Sequence, residues 1–293
     1  MTKEFLLLTA APERDILSHA LLDKLRQYLP PPNVLGEGEA VEYALNDSAK
    51  NNIEAIKASL KNAPIDINIV PAQKRQKSLL VADLESTIIE QECLDELAHQ
   101  CGMGEKVAKI TRRAMRGELD FESALQARVQ LLAGLPETAL LDLYENGISL
   151  MSGAQILLAT MRGRQAHCGL VSGGFEYFAS RIAKRLGFHR YWCNDWHIAN
   201  GQLTGTIDEP ILGRAAKAEI MVRWCAELHL TPADALAVGD GSNDLAMLES
   251  AGLGVAYHAK PIVAQAAQFR IEHGDLTALL YLQGIAKSEF ATP

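Results

Sequence analysis

Leu79-Leu80-Val81-Ala82-Asp83-Leu84-Glu85-Ser86-Thr87 is the stretch on which the fold turns. Four apolar residues in an unbroken run, closed by a carboxylate, are the pattern of a strand buried on both faces. A parallel sheet covered by helices leaves neither face to solvent, so polar alternation is lost. The same pattern returns at Gly169 to Val171, Leu236 to Val238 and Leu253 to Ala256, with helical stretches between. Three of the four runs end directly in polar residues: Asp83, Ser172 and Gly239-Asp240. Ligands of open α/β sheets sit in the crevice beyond the carboxyl ends of the strands, so these residues are expected to meet there.

Working outward, the interval from Asp83 to Ser172 is far longer than one crossover helix needs. It carries helical stripes at Leu94, Leu97 and Ala98, around Val107 to Met115, and over Phe121 to Leu132 with Leu125, Val129 and Leu132 on one face. The expectation is a helical cap inserted over the crevice. Downstream, the aromatic stretch Arg190 to Ile207 is broken by Asn200-Gly201, a strong hairpin signal, and predicts a small β-ribbon hanging off the core.

Upstream, Pro71 and the polar, basic Gln73 to Ser78 read as a linker. Before it lies a compact unit: an apolar run at Phe5 to Leu8, a helical stripe through Ile16, Leu21, Leu25 and Leu29 stopped by Pro30 to Pro32, and a second stripe at Ile53, Ile56 and Leu60. Ile65, Ile67 and Ile69 alternate with Asp66 and Asn68, which predicts a strand with its isoleucines buried and its polar residues out.

The 293 residues are 48% hydrophobic and 22% charged, with 28 Lys+Arg against 36 Asp+Glu and a net charge of −8. This is globular composition and excludes disorder, collagen and coiled coil. A net-acidic chain without a basic block has no long-range attraction for nucleic acid or anionic lipid, so any anionic substrate must be held by a local device such as a metal ion. Five cysteines with no CxxC pair argue for a reducing, cytoplasmic setting and against zinc. The apolar Phe5 to Leu8 is too short and too acidic in its flanks for a signal peptide, and no run reaches membrane-span length.

The chemistry concentrates at the strand ends. A carboxylate such as Asp83 can attack phosphorus, and a second acid two positions on, Glu85, can protonate a leaving oxygen and then activate water. Two solvated acids are the competing reading. Asp240 and Asp244, four apart after Gly239, can present oxygen ligands of the kind Mg²⁺ accepts, or serve as an Asp helix cap. Ser172-Gly173-Gly174 can offer a hydroxyl and backbone N–H groups to a phosphate, and Lys217 a point charge.

Together, the block Leu79 to Thr87, the turn Ser172 to Gly174, Lys217 and Gly239 to Asp244 resemble the four motifs of the haloacid dehalogenase (HAD) superfamily. The cap stretches Glu92-Cys93-Leu94-Asp95-Glu96 and Ala114 to Phe121 resemble its phosphoserine phosphatase family, over about residues 79 to 285. The resemblance implies an α/β fold: a Rossmann-like, HAD-like parallel core over residues 73–293 with a helical cap at about 90–150. It implies hydrolysis of O-phospho-L-serine to L-serine and phosphate through an aspartyl-phosphate, in L-serine biosynthesis. Asp83 would be the nucleophile and Glu85 the acid and base. Mg²⁺ would be held by Asp83, the Glu85 backbone carbonyl and Asp240, with Asp244 in support. Ser172, Gly173, Lys217 and Asn243 would hold the phosphoryl group, Glu92 the substrate ammonium and Arg128 its carboxylate, while Met115 and Phe121 close an apolar lid. Residues 1–72 more faintly resemble regulatory ACT-like domains and form a small α+β unit.

One departure stands out. The family usually has Asp where this chain has Glu85, and Asp-Leu-Glu occurs in the related phosphoserine–homoserine phosphotransferases. Besides hydrolysis, that phosphotransfer and a catalytically silent phosphoserine-binding module therefore stay open. The expected partner is a small molecule, with neither nucleic acid nor membrane; a homodimer is an open option.

Overall fold

The computed structural model describes residues 4–12, 14–115 and 118–292, and the elements named below are those of these residues. The N-terminal unit runs β1 (Glu4–Ala10), α1 (His19–Leu25), β2 (Asn33–Gly36), β3 (Ala40–Ala44), α2 (Asp47–Asn51), α3 (Ile53–Leu60) and β4 (Ile65–Pro71). Its strands form one antiparallel sheet in the order β2-β3-β1-β4, and the helices bury Leu25, Ile56 and Leu60 against Leu6, Leu8 and Tyr43. The Phe5 to Leu8 run and the Ile53 stripe fold as expected. α1 starts only at His19, and the β2–β3 hairpin was not anticipated.

The expected polarity of β4 holds for Ile65, which is buried, and for Ile67, which packs half-buried against the same core, but fails for the polar residues and Ile69. Asp66 and Asn68 are 3% and 4% exposed, whereas Ile69 is 36% exposed. The reason is that the unit carrying the parallel sheet packs on that side. Asn68 exchanges two hydrogen bonds with the backbone of Arg270, and the Asp66 carboxylate accepts the backbone N–H groups of Glu272, His273 and Gly274. Within the expected linker, Gln73, Lys74, Gln76 and Ser78 are exposed, but Arg75 and Lys77 are buried. Arg75 pairs with Glu42 at 2.6 Å, both 7% exposed, and donates to the carbonyls of Leu282 and Tyr281. A buried charge is tolerated only when paired and fully bonded, and here the pair fastens one domain to the other. Asp66→Ala would strand three N–H groups at this seam, that of Gly274 fully buried. It is expected to destabilise the chain by about 3 kcal/mol, visible as a lowered urea midpoint.

The second domain is built on β5 (Leu79–Ala82), β6 (His167–Phe175), β7 (Arg190–Asn194), β10 (Ala235–Gly239), β11 (Leu253–Tyr257) and β12 (Phe269–Ile271). They form a parallel six-stranded sheet in the order β12-β11-β10-β5-β6-β7. β5, β10 and β11 are buried at every residue, as their unbroken apolar runs require. Around the sheet pack α8 (Ala154–Gly163), α9 (Glu176–Leu186), α10 (Arg214–Glu227), α11 (Leu245–Ser250), α12 (Pro261–Ala266) and α13 (Ala278–Leu282). Gly169 of β6 is required by close approach: a Cβ there would lie 2.3 Å from the Trp224 ring of α10.

Between β5 and α8 sits the cap: α4 (Cys93–Gln100), α5 (Gly104–Met115), α6 (Phe121–Gln130) and α7 (Thr138–Asp142). α6 begins where the sequence says it should, with Asp120 accepting the Ser123 N–H at 2.8 Å. The ribbon is β8 (Trp196–Ala199) with β9 (Gln202–Ile207), turning at Asn200 and Gly201, both at positive φ. Arg190–Asn194, expected in that ribbon, is instead the edge strand β7 of the main sheet. No helix of the described residues is long and apolar enough to cross a membrane.

Candidate active site

Four adjacent strands, β11, β10, β5 and β6, bring their carboxyl ends to one cavity of about 480 Å³. Asp83 follows β5, Asp240 follows β10, and Gly173 and Gly174 lie in the last turn of β6. Behind them α10 delivers Lys217, fully buried, whose ammonium lies 2.8 Å from Asp83 Oδ1 and 2.7 Å from Asp244 Oδ1. Asp83 Oδ1 also accepts the Leu84 N–H at 2.8 Å, so one carboxylate oxygen is fixed by two donors. Asp244 Oδ2 accepts the Gly241 N–H at 3.0 Å. Gly239 is needed because a Cβ there would lie 2.4 Å from Asp244 Cγ. The glycine answers to this close approach, since neither Gly239 nor Gly241 has a positive φ.

The electrostatics are those of crowded carboxylates. Burial, reinforced by the Asp244 charge, holds the Asp83 pKa well above the ordinary carboxylate range despite Lys217. Burial pushes Asp240 up to about 6 against the pull of Lys260. Glu85 is pushed up to about 7, first by burial and then by the Glu92 charge. Burial opposes the charge on Lys217, but Asp244 and Asp83 more than offset it, so its pKa is raised and the ammonium stays protonated.

A divalent ion that prefers oxygen ligands fits this donor set. Carboxylate oxygens of Asp83, Asp240 and Asp244 lie within 4.8 Å of one another, all three residues are buried, and each raised acid would be relieved by added positive charge. A second acidic group, Asp66, Glu272 and His273, is spaced as closely, but both Asp66 oxygens are already taken by backbone N–H groups.

The cap closes the other side. Glu92, at the head of α4, accepts a hydrogen bond from the Ser86 hydroxyl at 2.9 Å; Ser86 itself sits at φ 54, a strained setting for a non-glycine residue. Glu85 accepts the Cys93 N–H at 2.9 Å, at the start of the same helix. α6 contributes Phe121 and Arg128, and Asn243 faces them from the loop after β10. Arg128 donates from Nε to the Ala124 carbonyl at 3.4 Å, within its own helix.

Of the expected residues, Asp83, Glu85, Glu92, Phe121, Arg128, Gly173, Asn243 and Asp240 line the cavity. Lys217 and Ser172 stand just behind the wall; the Ser172 hydroxyl is occupied in accepting the Gly174 N–H at 2.9 Å. The Met115 side chain lies outside the described residues, as do Arg116 and Gly117 of the same cap stretch. Sequence reasoning missed Lys260, Asp95 and Thr111, which also line the cavity. Asp95 Oδ1 and Thr111 Oγ1 are buried there without a hydrogen-bond partner. Lys260 follows the one strand run that does not end directly in a polar residue, which is why inspecting strand ends did not find it.

Residues 80–249 match the haloacid dehalogenase-like hydrolase family. The chain is 38% identical over 253 residues to a phosphoserine phosphatase of Streptomyces coelicolor, covering 85% of this chain and 62% of that protein, so it spans about three fifths of that relative's length. It is 40% identical over 214 residues to a phosphoserine phosphatase of Lactococcus lactis, covering 73% of this chain and 99% of the relative. Among solved structures, the phospho-aspartyl intermediate analogue of a phosphoserine phosphatase superimposes with a TM-score of 0.66 at 35% identity, covering 70% of this chain and 98% of that one.

Proposed function

Because the chain belongs to the haloacid dehalogenase-like hydrolase family, we propose that it is a Mg²⁺-dependent phosphatase converting O-phospho-L-serine to L-serine and phosphate. The observation that carries the reading is the convergence of Asp83, Asp240, Asp244 and Lys217 beneath a cap that offers two acids, Glu92 and Asp95, and one guanidinium, Arg128. Phosphoserine has matching features: a phosphoryl group, one ammonium and one carboxylate. The phosphoserine phosphatase names carried by relatives at 38% and 40% identity support the same substrate.

Asp83 attacks phosphorus through Oδ2, since Oδ1 is engaged by Lys217 and the Leu84 N–H. The P–O bond to serine breaks, and Glu85 gives its proton to the departing serine oxygen; a carboxyl whose pKa lies near neutrality suits both that donation and the next step. Glu85 then takes a proton from water, whose oxygen attacks phosphorus and releases phosphate from Asp83. Lys217 balances charge on the nucleophile and the phosphoryl oxygens throughout. Mg²⁺, held by Asp83, the Glu85 carbonyl and Asp240, would supply further neutralisation of those oxygens. Gly173 and Asn243, which line the cavity, would hold the phosphoryl group, with Ser172 bracing the Gly174 N–H behind them and Phe121 covering the group. The place of this reaction is L-serine synthesis in the cytoplasm, in keeping with five free thiols. The N-terminal residues 1–72 are taken as an ACT-like unit with a structural role.

The test is phosphate release from phosphoserine, phosphothreonine and a sugar phosphate, each with Mg²⁺ and with EDTA. Preference for phosphoserine with strict metal dependence is expected; preference for the sugar phosphate would overturn the roles of Glu92 and Arg128. Adding homoserine separates hydrolysis from phosphotransfer: free phosphate is expected as the product, and phosphohomoserine would contradict it. Glu85→Asp should speed turnover, since a carboxyl displaced by ~1 Å can cost about 100-fold. Equal rates in a steady-state assay would mean that the longer side chain is well placed.

A further inference from the structure

We propose that Lys260 is a substrate-capturing cation of this site, one that also occupies Asp240 until a divalent ion binds; this deepens the phosphatase reading and rests on it. The Lys260 ammonium lies 3.4 Å from Asp240 Oδ2, and its half-exposed side chain lines the same cavity as Asp83, Glu92 and Asn243. It therefore stands at the mouth, whereas Lys217 is sealed behind the wall and committed to Asp83 and Asp244.

The position is built into the fold. The Lys260 N–H donates to the Asp240 backbone carbonyl at 3.2 Å, tying the lysine to the turn that carries the acid. Pro261 sets the start of α12 directly after it. Two residues earlier His258 is held at φ 43, which a non-glycine residue keeps only when its surroundings over-determine it. They do: its N–H donates to the Ile271 carbonyl and its ring Nε2 contacts the Gly274 carbonyl, both at 2.8 Å. The Gly274 N–H is in turn bonded to Asp66 of the N-terminal domain at 2.8 Å. The loop that presents Lys260 is thus clamped by the reaction site on one side and by the second domain on the other.

The charge inventory gives the lysine its task. The cavity wall carries Asp83, Glu85, Glu92, Asp95 and Asp240, opposed by Arg128 and Lys260. With Arg128 assigned to the substrate carboxylate, Lys260 is, among the described residues, the cation left at the mouth to draw in a phosphate dianion past that acidic rim. The same ammonium competes with a divalent ion for Asp240. Removing it should therefore have two effects of opposite sign, tighter metal binding and weaker substrate binding, which a purely structural lysine would not produce.

The experiment compares full-length wild type with Lys260→Gln and Lys260→Arg. Calorimetric titration of Mg²⁺ into metal-stripped protein without substrate should show the Gln variant binding about fivefold more tightly. In Mg²⁺-saturated assays its KM for phosphoserine should rise about tenfold, with the change falling on KM rather than kcat, and kcat/KM should depend less on salt. The Arg variant should restore KM. Unchanged Mg²⁺ affinity together with unchanged KM, or a loss of both, overturns the assignment. A wild-type chain that releases no phosphate from phosphoserine would instead sink the phosphatase reading, while the calorimetric arm would still judge Lys260.

Discussion

Asp83→Asn is expected to abolish phosphoserine turnover, a loss of about 10⁴-fold or more, because an amide has no anionic oxygen with which to attack phosphorus. The loss should come without a loss of stability. Asp83 is one of three clustered carboxylates, and its ionised form is disfavoured by burial and by Asp244, so the neutral amide removes a repulsion in the metal-free protein. Lys217 keeps its partner Asp244 at 2.7 Å. Thermal melts in EDTA should place the variant at or above the wild type while the assay reads background. Retained turnover would remove Asp83 from the mechanism, and a collapsed melt would make the residue a structural one.

The second large effect is expected at Arg128. Among the described residues its guanidinium is hydrogen-bonded only through Nε, to its own helix, leaving the terminal nitrogens to grip a carboxylate in the bidentate manner that a point charge cannot reproduce. Arg128→Ala should lower kcat/KM for phosphoserine by about 100-fold or more. Phosphoethanolamine, which keeps the phosphoryl and ammonium groups but lacks the carboxylate, should be a poor substrate of the wild type and be almost untouched by the substitution. The ratio of the two specificity constants is the readout. Equal losses on both substrates would mean that Arg128 supports the cap rather than the substrate.

The parts of this molecule that could be read from sequence are those where one physical demand acted alone. β5, β10 and β11 are covered on both faces, so their side chains answer only to burial and the runs are unbroken. Strand ends in an α/β sheet open onto one crevice, so Asp83 and Asp240 could be paired across a long stretch of chain. Legibility failed where two demands met. β4 looked amphipathic with Asp66 outward because the sequence does not reveal that a second domain offers backbone N–H groups to that face. Arg75 looked like linker charge for the same reason, its partners Glu42, Tyr281 and Leu282 being distant in sequence. Glu42 in turn put a charge into the buried strand β3, which helped hide the β2–β3 hairpin. Lys260 escaped notice because its loop runs on from β11 through His258 and Ala259 before the cation arrives.

The central claim is that Asp83 and Asp240, on separate strands, share one divalent ion. A crystal structure grown with Mg²⁺ and a phosphate mimic measures this directly. Mg²⁺ is expected to be bound by the carboxylates of both residues and by the Glu85 carbonyl, with Lys260 moved off Asp240. An ion bound elsewhere, for example at Asp66, Glu272 and His273, with Lys260 still on Asp240, would contradict it.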